Sequence, residues 1–460
     1  MTMIPVCSLL LLCLSVFSLT SRATTTGSPK SQAICSGHRV SIPSSSGVWL
    51  PLNHRQGPCS PFPSSESETT PSTADVLLHG RARADTIRRL LNATAAFVDG
   101  AGDAIITVPT KLGTSLGSYE YVVTVGLGTP AITQTMTIDT GSDISWVQCR
   151  PCPVPSPCHL QKDKLFDPSR SATYSAFSCS SGECLGELGR AVFNGCSPGS
   201  SLCQYIVDYG DGSNSTGTFG SDKLTLTPVF AIDGFRFGCS HGDQLFNDRT
   251  SGLMALGGGS PSLATQAAAA KDAFSYCLPP TASHSGFLTL GVPRVASSRF
   301  VVTPMRRIRN IKTYYGVLME GITVAGRTLD VPPSVFAAGA VVDSGTVITQ
   351  LPVTAYRALR TAFAEEMERR KYRRVAPTNG FDTCFDLTAG EVELPSVALV
   401  FDRGATMELD TSGIVFDGCL AFYSNGDDAS VGIIGNLQQR TFEVLYDVGG
   451  RAIGFRRGAC

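Results

Sequence analysis

The sequence predicts an all-β protein built from two related halves, with few short helices. Three observations carry that prediction. Charged residues make up only 16% of a chain that holds 47 glycines, a mix that suits strands and turns better than helices. Short segments with period-two alternation, such as "YEYVVTVGLG", "TQTMTID" and "DKLTLTP", recur between turn residues from Tyr119 onward. Finally, "YVVTVGLGTPAITQTMTIDTGS" has a looser counterpart about 200 residues later, "YYGVLMEGITVAGRTLDVPPSVFAAGAVVDSGT".

Taken in order, residues 1–23 read as a secretory signal peptide. The apolar run from Ile4 to Phe17 is too short to cross a bilayer, and small and polar residues follow it, although no positive charge precedes it. No later stretch is long and apolar enough to span a membrane, and "GFRRGAC" at the C-terminus lacks the tail of a lipid-anchor signal, so no membrane anchor is expected. Residues 24–107 read as a propeptide. "PFPSSESETTPSTAD" is polar and low in complexity, whereas "LLHGRARADTIRRLLNATAAF" has the pattern of a basic amphipathic helix. Its arginines are expected to cover an acidic cleft until protonation weakens the attraction. The mature chain is expected to start between Gly102 and Ser118. An N-terminal β lobe over 119–300 and a C-terminal β lobe over 312–460 follow. The second contains one long helix, "VTAYRALRTAFAEEMERRKYRR", with Tyr356, Leu359, Phe363 and Met367 on one face, Thr354 as its cap and a solvated basic outer face.

Sixteen cysteines fit an oxidising compartment: the secretory pathway, and from there the extracellular space (the apoplast) or the vacuole. Eight of them lie between Cys149 and Cys239, where Cys149, Cys152 and Cys158 have zinc-like spacing. No set of histidines accompanies them and His159 stands alone, so disulfides are expected, with no metal and no cofactor. Eight cysteines allow about 105 pairings, which the sequence leaves open. A net charge of −1 gives no reason to expect nucleic acid or an anionic membrane as partner. Asn92 and Asn214 each open a glycosylation sequon.

The repeat carries the chemistry. Each copy runs from an apolar strand into Asp-[Ser/Thr]-Gly-[Ser/Thr]: Asp139-Thr140-Gly141-Ser142, then Asp343-Ser344-Gly345-Thr346. A single copy is an ordinary turn sequence, but two at matching places suggest that each half gives one acid to a shared site. Two facing carboxylates cannot both ionise cheaply and so share a proton. Such a pair can deprotonate a water and protonate a carbonyl oxygen, which hydrolyses an amide without a covalent intermediate. The neighbouring hydroxyls can brace the carboxylates, and the glycines admit close backbone. No Gly-x-Ser-x-Gly or His-Glu-x-x-His motif supports a serine or metal hydrolase.

These residues resemble the pepsin-type aspartic proteases, and specifically their nepenthesin-like plant branch. The resemblance rests on "IDTGSDISWVQC", "YGDGS" at Tyr209–Ser213, "FGC" at Phe237–Cys239, "FSYCL" at Phe274–Leu278, "VVDSGT" at Val341–Thr346, "GIIGN" at Gly432–Asn436 and the upstream phrase "LPLNHRQGPCSP". It implies a bilobal pepsin-like fold with the cleft between two β lobes, and a monomer made as a zymogen that cleaves proteins or peptides at acid pH. Asp139 and Asp343 would be the catalytic acids, Thr140 and Ser344 would brace the two loops, and Ser142 and Thr346 would contact the outer carboxylate oxygens. Tyr209, Gly210 and Asp211 would belong to the flap over the substrate, with Trp146 as the partner of Tyr209. The resemblance also pairs Cys384 with Cys419 and Cys277 with Cys460. One departure stands out: Ala255 sits where the family's first lobe usually has glycine, and a need for positive φ there would cost about 1 kcal/mol or more. The alternative on the same scaffold is an inactive binding protein, such as a glycosidase inhibitor; those tend to have lost part of the acid motifs, which are intact here.

Overall fold

The computed structural model describes residues 73–92, 106–108, 111–112 and 120–460, apart from 153–156, 189–192, 247, 268–272, 282–283, 292–298, 309–310 and 389–391. The signal-peptide reading over 1–23, Cys35 and Cys59 lie outside the described residues, as does the part of the Asn92 sequon beyond that residue.

Strands dominate, as the alternating pattern predicts. A ten-stranded sheet runs from Lys111–Leu112 through Tyr121–Leu127, Ile132–Asp139, Gly252–Ala255, Trp146–Gln148, Phe230–Gln244 and Asn214–Thr227 to Cys203–Asp208 and Phe193–Cys196, with Ser175–Ala176 as the tenth strand, paired to Asn214–Thr227 off this path. The second half builds a six-stranded sheet in which Ala340–Val342 lies beside Gly432–Ile434, and two four-stranded sheets pack around it.

A further six-stranded sheet joins the halves, because Ala273–Cys277 pairs antiparallel with Glu443–Asp447. Phe274 stacks on Tyr446 across this junction, with ring centroids 4.5 Å apart. One continuous buried core therefore runs from Ile138 through Phe274 and Tyr446 to Val342. The strand Ile106–Val108 adds to the edge of the joining sheet against Leu288–Leu290, so the propeptide boundary drawn at 107 falls inside a strand.

The repeat seen in the sequence is a repeat in space. Ile132–Asp139 runs parallel to Gly252–Ala255, which is flanked antiparallel by Trp146–Gln148. Ala340–Val342 likewise runs parallel to Gly432–Ile434, which is flanked antiparallel by Thr349–Leu351. In both halves the acid therefore leaves a buried strand at the point where a second strand lies alongside. Ala255 N donates to Ser145 Oγ (3.0 Å) and Gly435 N donates to Thr349 Oγ1 (3.0 Å), a hydroxyl six residues after the acid in each half.

The long helix forms over Val353–Arg369 and buries Tyr356, Leu359, Phe363 and Met367. Two expectations for it are corrected. Thr354 does not cap it; its N and Oγ1 donate to the Asp428 carboxylate (2.8 and 2.6 Å), so the acceptor comes from a distant loop. It also stops before Arg374, because Lys371 turns the chain at positive φ and Arg374–Val375 joins a strand pair with Cys384–Phe385. The cysteines with zinc-like spacing are held in disulfides: Cys149–Cys239, Cys152–Cys158, Cys179–Cys196 and Cys184–Cys203. Cys277 is bonded to Cys460 and Cys384 to Cys419.

Candidate active site

The two Asp-containing loops meet at the junction of the halves. Both Asp139 and Asp343 are buried, at 0% and 1% exposure. The hydroxyl-bearing residues after them cross over: Ser344 N donates to Thr140 Oγ1 (2.9 Å), and Thr140 N donates to Ser344 Oγ (3.1 Å). Each hydroxyl then reaches back to the strand carrying the other acid, Thr140 Oγ1 to Val342 O (3.4 Å) and Ser344 Oγ to Ile138 O (3.3 Å). Four hydrogen bonds thus tie the loops by a symmetric exchange that short β-hydroxyls can make and longer side chains cannot. Gly141 and Gly345 are required by close approach. A Cβ at 141 would lie 2.8 Å from Asp343 Oδ1, and one at 345 would lie 2.6 Å from Asp139 Oδ1.

The outer contacts are unequal. Thr346 Oγ1 donates to Asp343 Oδ2 (2.6 Å), and the Gly141 and Gly345 amides donate to Oδ1 of Asp139 and Asp343 (2.8 and 3.3 Å). Ser142 Oγ stands beside the Asp139 carboxyl and helps to hold its pKa down, but it lacks the well-aligned bond that Thr346 makes; among the described residues neither Ser142 Oγ nor Asp139 Oδ2 has a well-aligned hydrogen-bond partner. Asp139 is consequently the less supported acid. Burial pushes its pKa up, Arg83 pulls it down, and the Asp343 charge pushes it up again, for a net rise.

Arg83 comes from the N-terminal helix. The predicted basic helix spans Thr73–Asn92, and its Leu77, Ala84, Ile87 and Leu91 are all buried. Leu77 packs with Val347, Phe381 and Tyr423, while Ala84, Ile87 and Leu91 pack with Tyr314, Val341 and Ile433. Arg83 is thereby driven between the acids, donating from Nη2 to Asp139 Oδ1 (2.5 Å) and from Nε to Asp343 Oδ2 (3.1 Å). Burial alone would lower the guanidinium pKa, but the two carboxylates outweigh it and hold the group well above its ordinary value. Arg81 lies 3.5 Å over the Tyr423 ring and donates to Gly380 O (2.8 Å).

Above the acids, Cys203–Asp208 and Asn214–Thr227 form a hairpin whose tip is Tyr209–Ser213. Gly212 adopts the positive φ (+90°) that this tight turn needs, its N–H donating to Tyr209 O (3.0 Å). The Tyr209 hydroxyl accepts from Trp146 Nε1 (2.7 Å). The N-terminal helix touches the tip directly: Thr86 Oγ1 donates to Gly210 O (3.0 Å), and His79 lies 3.9 Å from Asp211. Asp139, Tyr209, Phe246, Leu253 and Val347 line a cleft that the helix partly fills with His79, Gly80 and Arg83.

Comparison with known proteins places this geometry. The family model described as the xylanase inhibitor N-terminal domain matches residues 121–292, and the corresponding C-terminal model matches 314–457. An aspartyl protease family protein of Arabidopsis thaliana is 40% identical over 419 residues, covering 89% of this chain and 87% of its own. Nepenthesin-1, an aspartic proteinase of Nepenthes gracilis, is 30% identical over 380 residues, covering 78% and 82%. The chain belongs to the plant pepsin-like aspartic proteases. Soybean basic 7S globulin shares the fold of this protease with a TM-score of 0.60 at 20% identity, over 77% of this chain and 97% of that one.

The departure at Ala255 resolves structurally. Ala255 pairs with Asp139 in register, is fully buried against Trp146 and Tyr205, and is not among the residues with positive φ. The strain anticipated for it is therefore absent. At the matching place Gly435 is required for a different reason, since a Cβ there would meet Val347 O at 2.7 Å. Sequence reasoning named no individual arginine as the partner of the acids and set His159 aside as a lone histidine. Only the order of packing singles out Arg83, and only the fold brings Asp243 to His159.

Proposed function

We propose that the protease cleaves peptide bonds with Asp139 and Asp343 as its paired acids and that Thr73–Asn92 belongs to an inhibitory propeptide. The observation that carries this reading is one guanidinium bound by both buried carboxylates. It supports two acids close enough to act on one group, and a segment ahead of the body that blocks them. Once the helix leaves, the pair loses its compensating cation. Two carboxylates in a buried site then retain one proton, which sets an acid working range. The ionised member takes a proton from a water between them, that water attacks the carbonyl carbon, and the other member protonates the carbonyl oxygen. The Thr140–Ser344 exchange holds the two oxygen sets in place while charge moves, and the Tyr209 hairpin closes over an extended substrate.

The strand Ile106–Val108 belongs to the body's sheet, which supports a mature chain that begins ahead of it. The disulfides support passage through the secretory pathway to the apoplast or vacuole, as a monomer that carries both acids. Asn214 is half-buried on the hairpin, its amide 3.4 Å from Gln244 Oε1, and a glycan there would sit beside the moving tip. The test is cleavage of a peptide at about pH 4 by wild type and Asp343→Asn. Cleavage by the first and none by the second is expected. No cleavage by wild type after confirmed removal of the N-terminal segment would favour the binding-protein alternative instead.

A further inference from the structure

His159 follows the Cys152–Cys158 disulfide and is buried, at 7% exposure, away from the paired acids. Its ring touches both ends of one loop. Nδ1 lies 2.8 Å from Asp243 Oδ1, where the strand Phe230–Gln244 ends, and Nε2 lies 2.9 Å from Thr250 O. The backbone N of His159 adds a third bond to Asp243 Oδ1 (3.3 Å). Between those ends the loop carries Phe246, whose ring lies 5.7 Å from the imidazole, 5.0 Å from Trp146 and 5.9 Å from Tyr209. Phe246 also lines the cleft. The same Cys-rich segment backs the loop with main chain: Asp243 N donates to Pro157 O (2.8 Å) and Lys162 N donates to Arg249 O (3.0 Å).

We propose that His159 is a positioning residue for Phe246, clipping Asp243 and Thr250 on either side of it as an imidazolium and so fixing Phe246 as a wall of the cleft against Trp146 and Tyr209. A neutral imidazole has one N–H and cannot donate to both Asp243 and Thr250. Both nearest partners are acceptors, whereas the Gln148 amide stands farther from Nε2, at 3.2 Å. The charged groups facing the ring are Asp243 from the strand and Asp248 from the loop, and both favour the cation; Gln148 and Phe246, its other neighbours, are neutral. Burial alone would lower the His159 pKa, but the Asp243 hydrogen bond and the Asp248 charge outweigh it, so the net direction is upward. The clip therefore holds below the ordinary imidazole value and is lost as pH rises through the raised one, which matches an acid-working enzyme.

The test uses the full chain carrying Trp49→Phe and Asp343→Asn. Because the protein has two tryptophans, Trp146 is then the sole tryptophan, read by excitation selective for indole, and self-cleavage is blocked. Its fluorescence is expected to titrate once between about pH 5 and 8.5, with a midpoint above the ordinary imidazole value of about 6.5. The transition should vanish in His159→Gln and persist in His241→Gln. In the activated enzyme, which rests on the protease reading, His159→Gln is expected to raise KM roughly three- to tenfold at pH 5 with kcat within about twofold. Flat emission across the range, or the same transition in His159→Gln, overturns the proposal. Should that variant fail to fold, Phe246→Ala at a half-exposed site replaces it; a transition that survives loss of the ring linking His159 to Trp146 is equally fatal. The fluorescence needs no peptide cleavage, so it stands or falls separately from the protease reading.

Discussion

Replacing Arg83 with alanine in the full chain removes the cation that both acids bind. The ion contacts are at 2.5 and 3.1 Å, and the Arg83 side chain is 10% exposed, so this is a buried triad. Removing one member of such a group costs roughly 3–5 kcal/mol, because the remaining charges stay buried and unpaired. At 1.4 kcal/mol per tenfold, docking of the helix should weaken by about two to three and a half orders of magnitude while both acids are ionised. The apolar anchors Leu77, Ala84, Ile87 and Leu91 remain, so the chain should stay folded with its cleft more often open. The sign with pH follows from the same triad. Arg83 stabilises the ionised carboxylates, so its contribution is present when they are charged and fades as acid protonates them. Wild-type full-length chain should therefore cleave a fluorogenic peptide only after a lag, and only at low pH. Arg83→Ala should show no lag, and its onset should move to higher pH by about one unit or more, about 1.4 kcal/mol per unit. Identical lag and onset in wild type and variant, with unfolding curves showing both folded, would refute the reasoning.

Two further outcomes follow from the site. Gly435→Ala should destabilise by about 1–3 kcal/mol, since its Cβ would press on Val347 O at 2.7 Å, whereas Ala255→Gly should cost about 0.5–1 kcal/mol and restore nothing; thermal unfolding with kcat reads both. Tyr209→Phe leaves Trp146 Nε1 without its acceptor, a loss of about 1–3 kcal/mol that should lower kcat/KM and shift Trp146 emission; unchanged values of both would remove the hydrogen bond from the account.

How much of this was legible in the chain depends on how local each cause is. The acids were legible because the same short motif ends two buried strands, and a duplicated motif leaves a repeat that no turn preference explains. The N-terminal helix was legible through its basic amphipathic pattern, which is local as well. Which arginine meets the acids was not. At 3.6 residues per turn, Arg83 borders one side of the apolar stripe and Arg81 and Arg88 border the other, so helix phase narrows the choice to either flank. The choice between flanks belongs to the surfaces beneath: Val341 and Ile433 receive Ala84 and Ile87, and Tyr423 takes Arg81. His159 lies further from reach, since its partners at Asp243 and Thr250 are more than 80 residues away and neither sits in a recognisable motif. The same limit applies to Ala255. A rule that glycine belongs there assumes that the two halves demand it alike, but the backbone of Val347–Thr349 crowds only position 435, while at 255 a methyl group packs against Trp146. A two-fold repeat therefore fixes where the acids stand without fixing what each half requires around them, and the required residue follows from which chain passes closest.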